Sequence, residues 1–180
     1  MADERRTAEM PTTGGARPGP SVPLLMSELS RSRGVRPIAI RIPTIQVNSE
    51  VERRPITDNQ MAAPTGPYVV AWYGATGRLG VLGNGVFAGH VDYASVGPAV
   101  FARLGELVVG DQIELTGEDV GVYRYAVTWS ELYDAATAPV DDIIGPTETE
   151  SVTLITCGGW FDSAAGSYDS RLIVHAERIS

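Results

Sequence analysis

Tyr123-Arg124-Tyr125-Ala126-Val127-Thr128-Trp129 places a large apolar or aromatic side chain at every second position, with small or polar residues between. A period of two is that of an extended strand with one buried face. Just upstream, Ile113 and Leu115 alternate in the same way with Gln112, Glu114 and Thr116. Toward the N-terminus, Ile38, Ile40 and Ile42 alternate with Ala39 and Arg41; after the Pro43-Thr44 break, Ile45, Val47 and Val51 suggest a second strand. Val69-Val70-Ala71-Trp72-Tyr73 and Val86-Phe87-Ala88-Gly89-His90 are short strand candidates, the second ending on its histidine. Val152 to Cys157 and Arg171 to Ile179 complete the set, joined by a Gly-rich loop that would begin just after the cysteine.

The connections are rich in turn residues. Arg53 to Pro67 carries three prolines and reads as a long loop, and Gly74 to Gly85 holds five glycines. Val100, Phe101, Leu104 and Leu107 fit a short helical turn, and Asp134 to Glu150 reads as a loop with a turn of helix near Asp141 to Ile144. About eight short, evenly punctuated strands with one or two short helices predict an all-β, single-domain barrel or sandwich. Helices do not alternate with strands, which argues against a doubly wound α/β sheet.

The chain has 180 residues, enough for one domain with a real core. Residues 1–35 read as a flexible arm, rich in Pro, Gly and Arg, with Val22-Pro23-Leu24-Leu25-Met26 as its one apolar docking segment. Residues 36–180 form the folded domain in this reading. A formal net charge of −8, spread along the chain, argues against a nucleic-acid surface. A single cysteine excludes an internal disulfide and a thiolate-cluster metal site. There is no apolar run of about 18 residues and no signal-peptide pattern.

Cys157 is followed at once by Gly158 and Gly159, which leave the backbone uncrowded, free to take positive φ, and able to aim N–H groups at a developing oxyanion. A thiol is mostly protonated at neutral pH and needs a base or a positive field to act as a nucleophile. The chain has two histidines. His90, at a strand end beside Gly89, is the better partner; His175, inside Ile173-Val174-His175-Ala176, reads as structural. Asp92, two residues beyond His90, can orient the imidazole or cap the following loop. Arg171 opens the last strand; if that strand neighbours the cysteine strand, its guanidinium reaches the thiol and stabilises both thiolate and oxyanion.

Three motifs in order then resemble the sortase family. Thr153-Leu154-Ile155-Thr156-Cys157 fits the TLXTC signature of sortases. Ala88-Gly89-His90-Val91-Asp92, followed by Gly97-Pro98-Ala99-Val100-Phe101-Ala102-Arg103-Leu104, is similar to the histidine segment of class F sortases and less so of class E. Cys157-Gly158-Gly159, Phe161-Asp162, Gly166-Ser167-Tyr168 and Arg171 also resemble that group, so that the similarity covers Arg36 to Ile179.

The resemblance implies an eight-stranded sortase-type β-barrel and a catalytic set of Cys157, His90 and Arg171. It implies cleavage of a C-terminal LPXTG-like sorting signal between threonine and glycine, through a thioacyl enzyme resolved by an amine of the cell wall or of a pilin lysine. Thr156 is expected beside the substrate, with Ile155, Gly158, Gly159 and Ala88 lining its site. Partners are surface proteins bearing such signals, and the location is the extracytoplasmic face of a bacterial-type membrane. Sortases normally carry an N-terminal anchor, so the expectation is an anchor outside this chain, with a released enzyme second.

Met10-Pro11-Thr12-Thr13-Gly14 itself reads like a sorting signal with methionine for leucine. An extended chain of about 22 residues reaches up to ~75 Å, so this arm could serve as pseudo-substrate. No metal or cofactor is expected. Asp141, Asp142, Glu148 and Glu150 cluster before the cysteine strand but lack the ordered spacing of a calcium loop. Two rivals stand beside the sortase reading. A cysteine L,D-transpeptidase would show Ser-His-Gly-Cys, where this chain has Ile-Thr-Cys-Gly-Gly. A catalytically silent β-barrel that binds peptides or assembles pili would lack a member of the triad.

Overall fold

The computed structural model describes residues 33–163 and 166–179. The alternating segments form strands, and their apolar faces meet. β9 (Gln112–Gly117) and β10 (Val122–Asp134) pair antiparallel, with Ile113 opposite Tyr125 and Leu115 opposite Tyr123. Ile113, Leu115 and Tyr125 are fully buried, joined in one core by Ile40 and Ile42 of β1 (Pro37–Ile42). The remaining strands are β2 (Val47–Arg54), β5 (Val70–Tyr73), β6 (Gly83–Ala88), β11 (Glu150–Asp162) and β12 (Ser167–Arg178). Eight strands close into a barrel in the order β1-β2-β5-β6-β11-β12-β10-β9. Closure leaves no unpaired edge.

Two pairings are parallel, β2 with β5 and β6 with β11. Parallel neighbours require crossovers, and these build the upper structure of the site. The β2–β5 crossover holds a ribbon, β3 (Ile56–Thr57) with β4 (Gln60–Met61), turned by Asp58 and Asn59 at φ of 50° and 59°. The segment after β6 holds a second ribbon, β7 (Asp92–Tyr93) with β8 (Gly97–Pro98). Among the described residues the one α-helix, α1 (Val140–Ile144), lies between β10 and β11.

A second apolar cluster lies on the outside of the barrel. Ala71, Tyr73 and Val86 are buried there, with Ile56, Met61, Ala88, Ile144 and Ile155 packed against them. The β3–β4 ribbon and α1 thus cover the outer face of β5, β6 and β11. In β11, Val152 and Leu154 point into the barrel core and Ile155 points out. By the period of two, Cys157 shares the outer face with Ile155.

The structure differs from the sequence reading in four places. β11 does not stop at Cys157 but runs on to Asp162, pairing with Ser167 and Tyr168 across an irregularity between Gly158 and Phe161. Glycine pairs weaken a strand without ending it when a bulge absorbs them. The Arg53–Pro67 loop contains the end of β2 and the β3–β4 ribbon. The helical turn expected after Gly97 is a 3-10 turn at Leu104–Glu106. Val35, assigned to the arm, bridges Leu79 through paired backbone bonds of 2.8 and 3.0 Å and is buried, because an apolar residue beside the barrel end gains from packing there. Residues 1–32 of the arm, including Met10 to Gly14 and Val22 to Met26, lie outside the described residues.

Candidate active site

β11 and β12 place Cys157 and Arg171 directly opposite one another as paired residues. On the other side of β11, Ile155 pairs with Ala88, the last residue of β6. The chain leaving β6 is moored twice: Gly89 N–H donates to the Ile155 carbonyl at 3.1 Å, and the Thr156 hydroxyl donates to the Gly89 carbonyl at 2.8 Å. The next residue is His90. One cleft of about 260 Å³ is lined by Cys157, His90 and Arg171, with Ile155, Thr156, Ala88, Gly89, Tyr73, Met61, Ala63 and Pro64. Three residues far apart in the chain therefore meet because β6 and β12 are the two neighbours of β11.

Cys157 is a half-buried free thiol. The half-buried His90 ring has Nε2 at 3.3 Å from the Pro64 carbonyl, and Tyr93 meets it edge-on with centroids 5.2 Å apart. A carbonyl only accepts, so this bond puts the neutral ring's proton on Nε2 and leaves the lone pair on Nδ1. Arg171 donates through Nη1 to the carbonyls of Tyr168 at 2.9 Å and Ser170 at 2.8 Å. These bonds fix the guanidinium at the cleft, and Nε and Nη2 have no protein partner among the described residues.

The other expected site residues divide. Thr156, Ile155 and Ala88 line the cleft, but Thr156 is buried and its hydroxyl proton goes to Gly89. Asp92 does not line the cleft; its carboxylate accepts the Tyr168 hydroxyl at 2.6 Å. The oxygen found against His90 is instead that of Pro64. Gly158 and Gly159 also lie off the cleft lining, and only Gly159 takes positive φ, at 77°. A side chain on Gly159 would run into Asp169 and Ser170. The bulge is pinned by Asp169, which accepts the Trp160 N–H at 3.0 Å and the Ser170 hydroxyl at 2.8 Å.

Of the acidic residues considered for calcium, Asp141 and Asp142 occupy the first turn of α1. Glu150 accepts from the Tyr125 hydroxyl at 2.6 Å and from Gly80 N–H at 2.8 Å, and pairs with Arg178.

Gly89 has a steric role that its place in the motif did not reveal. A Cβ there would lie 2.5 Å from Cδ2 of the fully buried Phe101. Gly89→Ala is expected to cost about 1–3 kcal/mol by overpacking and to push His90 off the cleft. A thermal melt combined with a peptide-cleavage assay checks this; a variant as stable and as active as the parent contradicts it.

His175 is structural, as its position in a strand suggested. It is buried and stacked on Trp129, with centroids 5.2 Å apart and planes 16° apart. Its Nδ1 lies 3.0 Å from the Thr153 hydroxyl, which donates to Asn84 Oδ1 at 2.9 Å. Since Thr153 gives its proton to Asn84, His175 donates through Nδ1. Asn84 in turn donates to the carbonyls of Ile143 and Gly145, tying α1 to the barrel. Burial pushes the His175 pKa below its ordinary value, with Glu177 opposing. The unfolded chain then binds more protons than the native one as pH falls through the ordinary histidine range. This stabilisation is complete above an unfolded pKa of about 6.5 and is lost as pH falls toward the folded value. Urea unfolding between pH 7 and 5 should show stability falling on acidification, with a flatter slope in His175→Asn; equal slopes would remove His175 from the account.

A family model described as a sortase domain matches residues 40–179. The chain belongs to the sortase family. Solved sortases share its fold. Sortase A of Listeria monocytogenes aligns with a TM-score of 0.60 at 23% identity, covering 82% of this chain and 88% of that one. Sortase C-1 of Actinomyces oris gives 0.61 at 24% identity, covering 90% and 82%. A sortase D5 transpeptidase of Clostridium perfringens gives 0.59 at 21%, covering 88% and 86%. No curated protein sequence matches the chain. Sortases of types A, C and D align about equally well, so this likeness does not separate the classes. Among the described residues of this sortase, no helix is long and apolar enough to cross a membrane.

Proposed function

We propose that this chain is a cysteine transpeptidase, most like class F sortases, acting on LPXTG-like sorting signals at the extracytoplasmic face of the membrane. The observation that carries the proposal is the cleft shared by Cys157, His90 and Arg171, with Arg171 directly across the strand pair from the thiol.

In this scheme the signal lies along the apolar outer face of β6 and β11, against Ala88, Ile155, Tyr73 and Met61. The Cys157 sulfur attacks the threonine carbonyl as its proton passes to His90, and the resulting oxyanion is held by Arg171. Collapse of the tetrahedral species breaks the threonine–glycine bond. His90 supplies a proton to the departing glycine amine, leaving a thioester on Cys157. An incoming amine of a cell-wall peptide or pilin lysine attacks that thioester and gives a proton to His90; the sulfur then departs and takes that proton, restoring the thiol. Charge development falls on Arg171, and the scheme requires no metal.

The test is cleavage of a fluorogenic LPXTG peptide by the wild type and by Cys157→Ala, with added amine as acceptor. Turnover and amine-dependent product are expected from the wild type and from the variant neither. Equal turnover by both would sink the proposed chemistry, and inactivity of both would favour the silent-barrel alternative. Substitution of the second residue by alanine and of the first by methionine defines the preference of the groove.

A further inference from the structure

The His90 segment and the Cys157–Arg171 hairpin meet a second time outside the cleft. Tyr168, on β12, pairs with Phe161 across the hairpin, and their rings meet at 5.0 Å between centroids. That contact holds the phenol on one side. Its hydroxyl donates to Asp92 Oδ2 at 2.6 Å, across 76 residues of chain. Asp92 is the first residue of β7, and only Val91 separates it from His90. The ribbon that carries Asp92 is rigidly returned: Asp92 pairs with Pro98, Ala99 N–H donates to the Val91 carbonyl, and Phe101 N–H donates to the His90 carbonyl. The Tyr168 carbonyl, meanwhile, accepts Nη1 of Arg171.

We propose that Tyr168 is a positioning residue, its hydroxyl clasping Asp92 to fix the His90 segment against the Cys157 hairpin while its carbonyl sets the Arg171 guanidinium. This rests on the transpeptidase reading above and adds to it a link between all three site residues. A hydrogen bond to a carboxylate is short and roughly twice as strong as a neutral one, which suits a clasp between two partly exposed elements. Accepting that proton, Asp92 also pushes the phenol pKa above its ordinary value, so the donor stays protonated through neutral pH. The motif residue Asp92 thus acts on His90 through the backbone, while the ring nitrogen itself meets Pro64.

The test uses four variants: Tyr168→Phe, Asp92→Ala, Asp92→Asn and the double Tyr168→Phe/Asp92→Ala. Small displacements of reacting groups are costly, so each of the first two should lower kcat by about tenfold, with KM within about twofold because the groove is untouched. Asn keeps an acceptor oxygen and should restore kcat to within about threefold of wild type. The double variant should be no worse than either single, since both remove the same bond. Melting temperatures should stay within a few degrees. A Tyr168→Phe enzyme within twofold of wild type overturns the clasp, as do multiplicative losses in the double variant. Alkylation of Cys157 by iodoacetamide is read in parallel and needs no sorting signal. A rate altered by about threefold or more in Tyr168→Phe supports the clasp even if no peptide is turned over, whereas an unchanged rate with inactive wild type refutes it. Failure of the wild type on every peptide, with a normal alkylation difference, would instead count against the transpeptidase reading alone.

Discussion

Arg171→Ala will lower kcat/KM for a sorting-signal peptide by about 10²- to 10³-fold, the loss typical of removing one oxyanion donor. The guanidinium stands across the strand pair from Cys157 and is oriented by two backbone carbonyls. That preorganisation means little rearrangement is needed as the oxyanion forms. The loss should appear in kcat, and it should be the same for an amide and for an activated thioester, because both pass through a tetrahedral oxyanion. Arg171→Lys keeps the charge but not the planar fork, so it should recover only part of the loss. The fold should survive, since β12 keeps its ladder and the barrel core is untouched. Steady-state kinetics on both substrates, with a thermal melt, check this; kcat/KM within threefold of wild type for Arg171→Ala would remove Arg171 from the mechanism.

His90→Ala will lower amide cleavage by about 10²- to 10⁴-fold, the range for a lost general acid–base. Here the leaving group discriminates. An amide nitrogen must be protonated to depart, whereas an aryl thiolate departs unaided. The variant should therefore lose far less on an activated aryl thioester, where only the thiol proton must be taken up, than on the peptide, where the leaving amine must also be protonated. The contrast with Arg171→Ala, which loses both, separates proton transfer from oxyanion stabilisation in two assays. Equal losses on the two substrates would mean that His90 does not act as the acid.

Much of this site was legible in the sequence because it sits on strands with clear alternation. Leu154 inward and Ile155 outward follow from a period of two, and so does the face of Cys157. The pairing of Cys157 with Arg171 follows once β11 and β12 are neighbours joined by a short turn. Local rules did not reach the long-range parts. The parallel pairing of β6 with β11 brings His90 beside Cys157 across a crossover that contains two other barrel strands, and no local signal announces it. The β3–β4 ribbon was hidden by the prolines around it, although Asp58-Asn59 is a residue pair suited to positive φ. Pro64 enters the site through its carbonyl, a group every residue carries, so no side-chain pattern could single it out. Tyr168 stood in the motif without a role, because its partner Asp92 is distant in sequence. Gly158-Gly159 suggested a loop, yet Asp169 and Ser170 hold the bulge inside the ladder.

In the proposed reaction Cys157 carries the substrate as a thioester. Intact-protein mass spectrometry tests it most directly, on enzyme quenched in acid during turnover of an LPXTG peptide without added amine. A species heavier by the peptide fragment ending in threonine is expected, mapped to Cys157, absent from Cys157→Ala and discharged when an amine is added. Peptide cleavage with no such adduct, or an adduct that persists in Cys157→Ala, would contradict it.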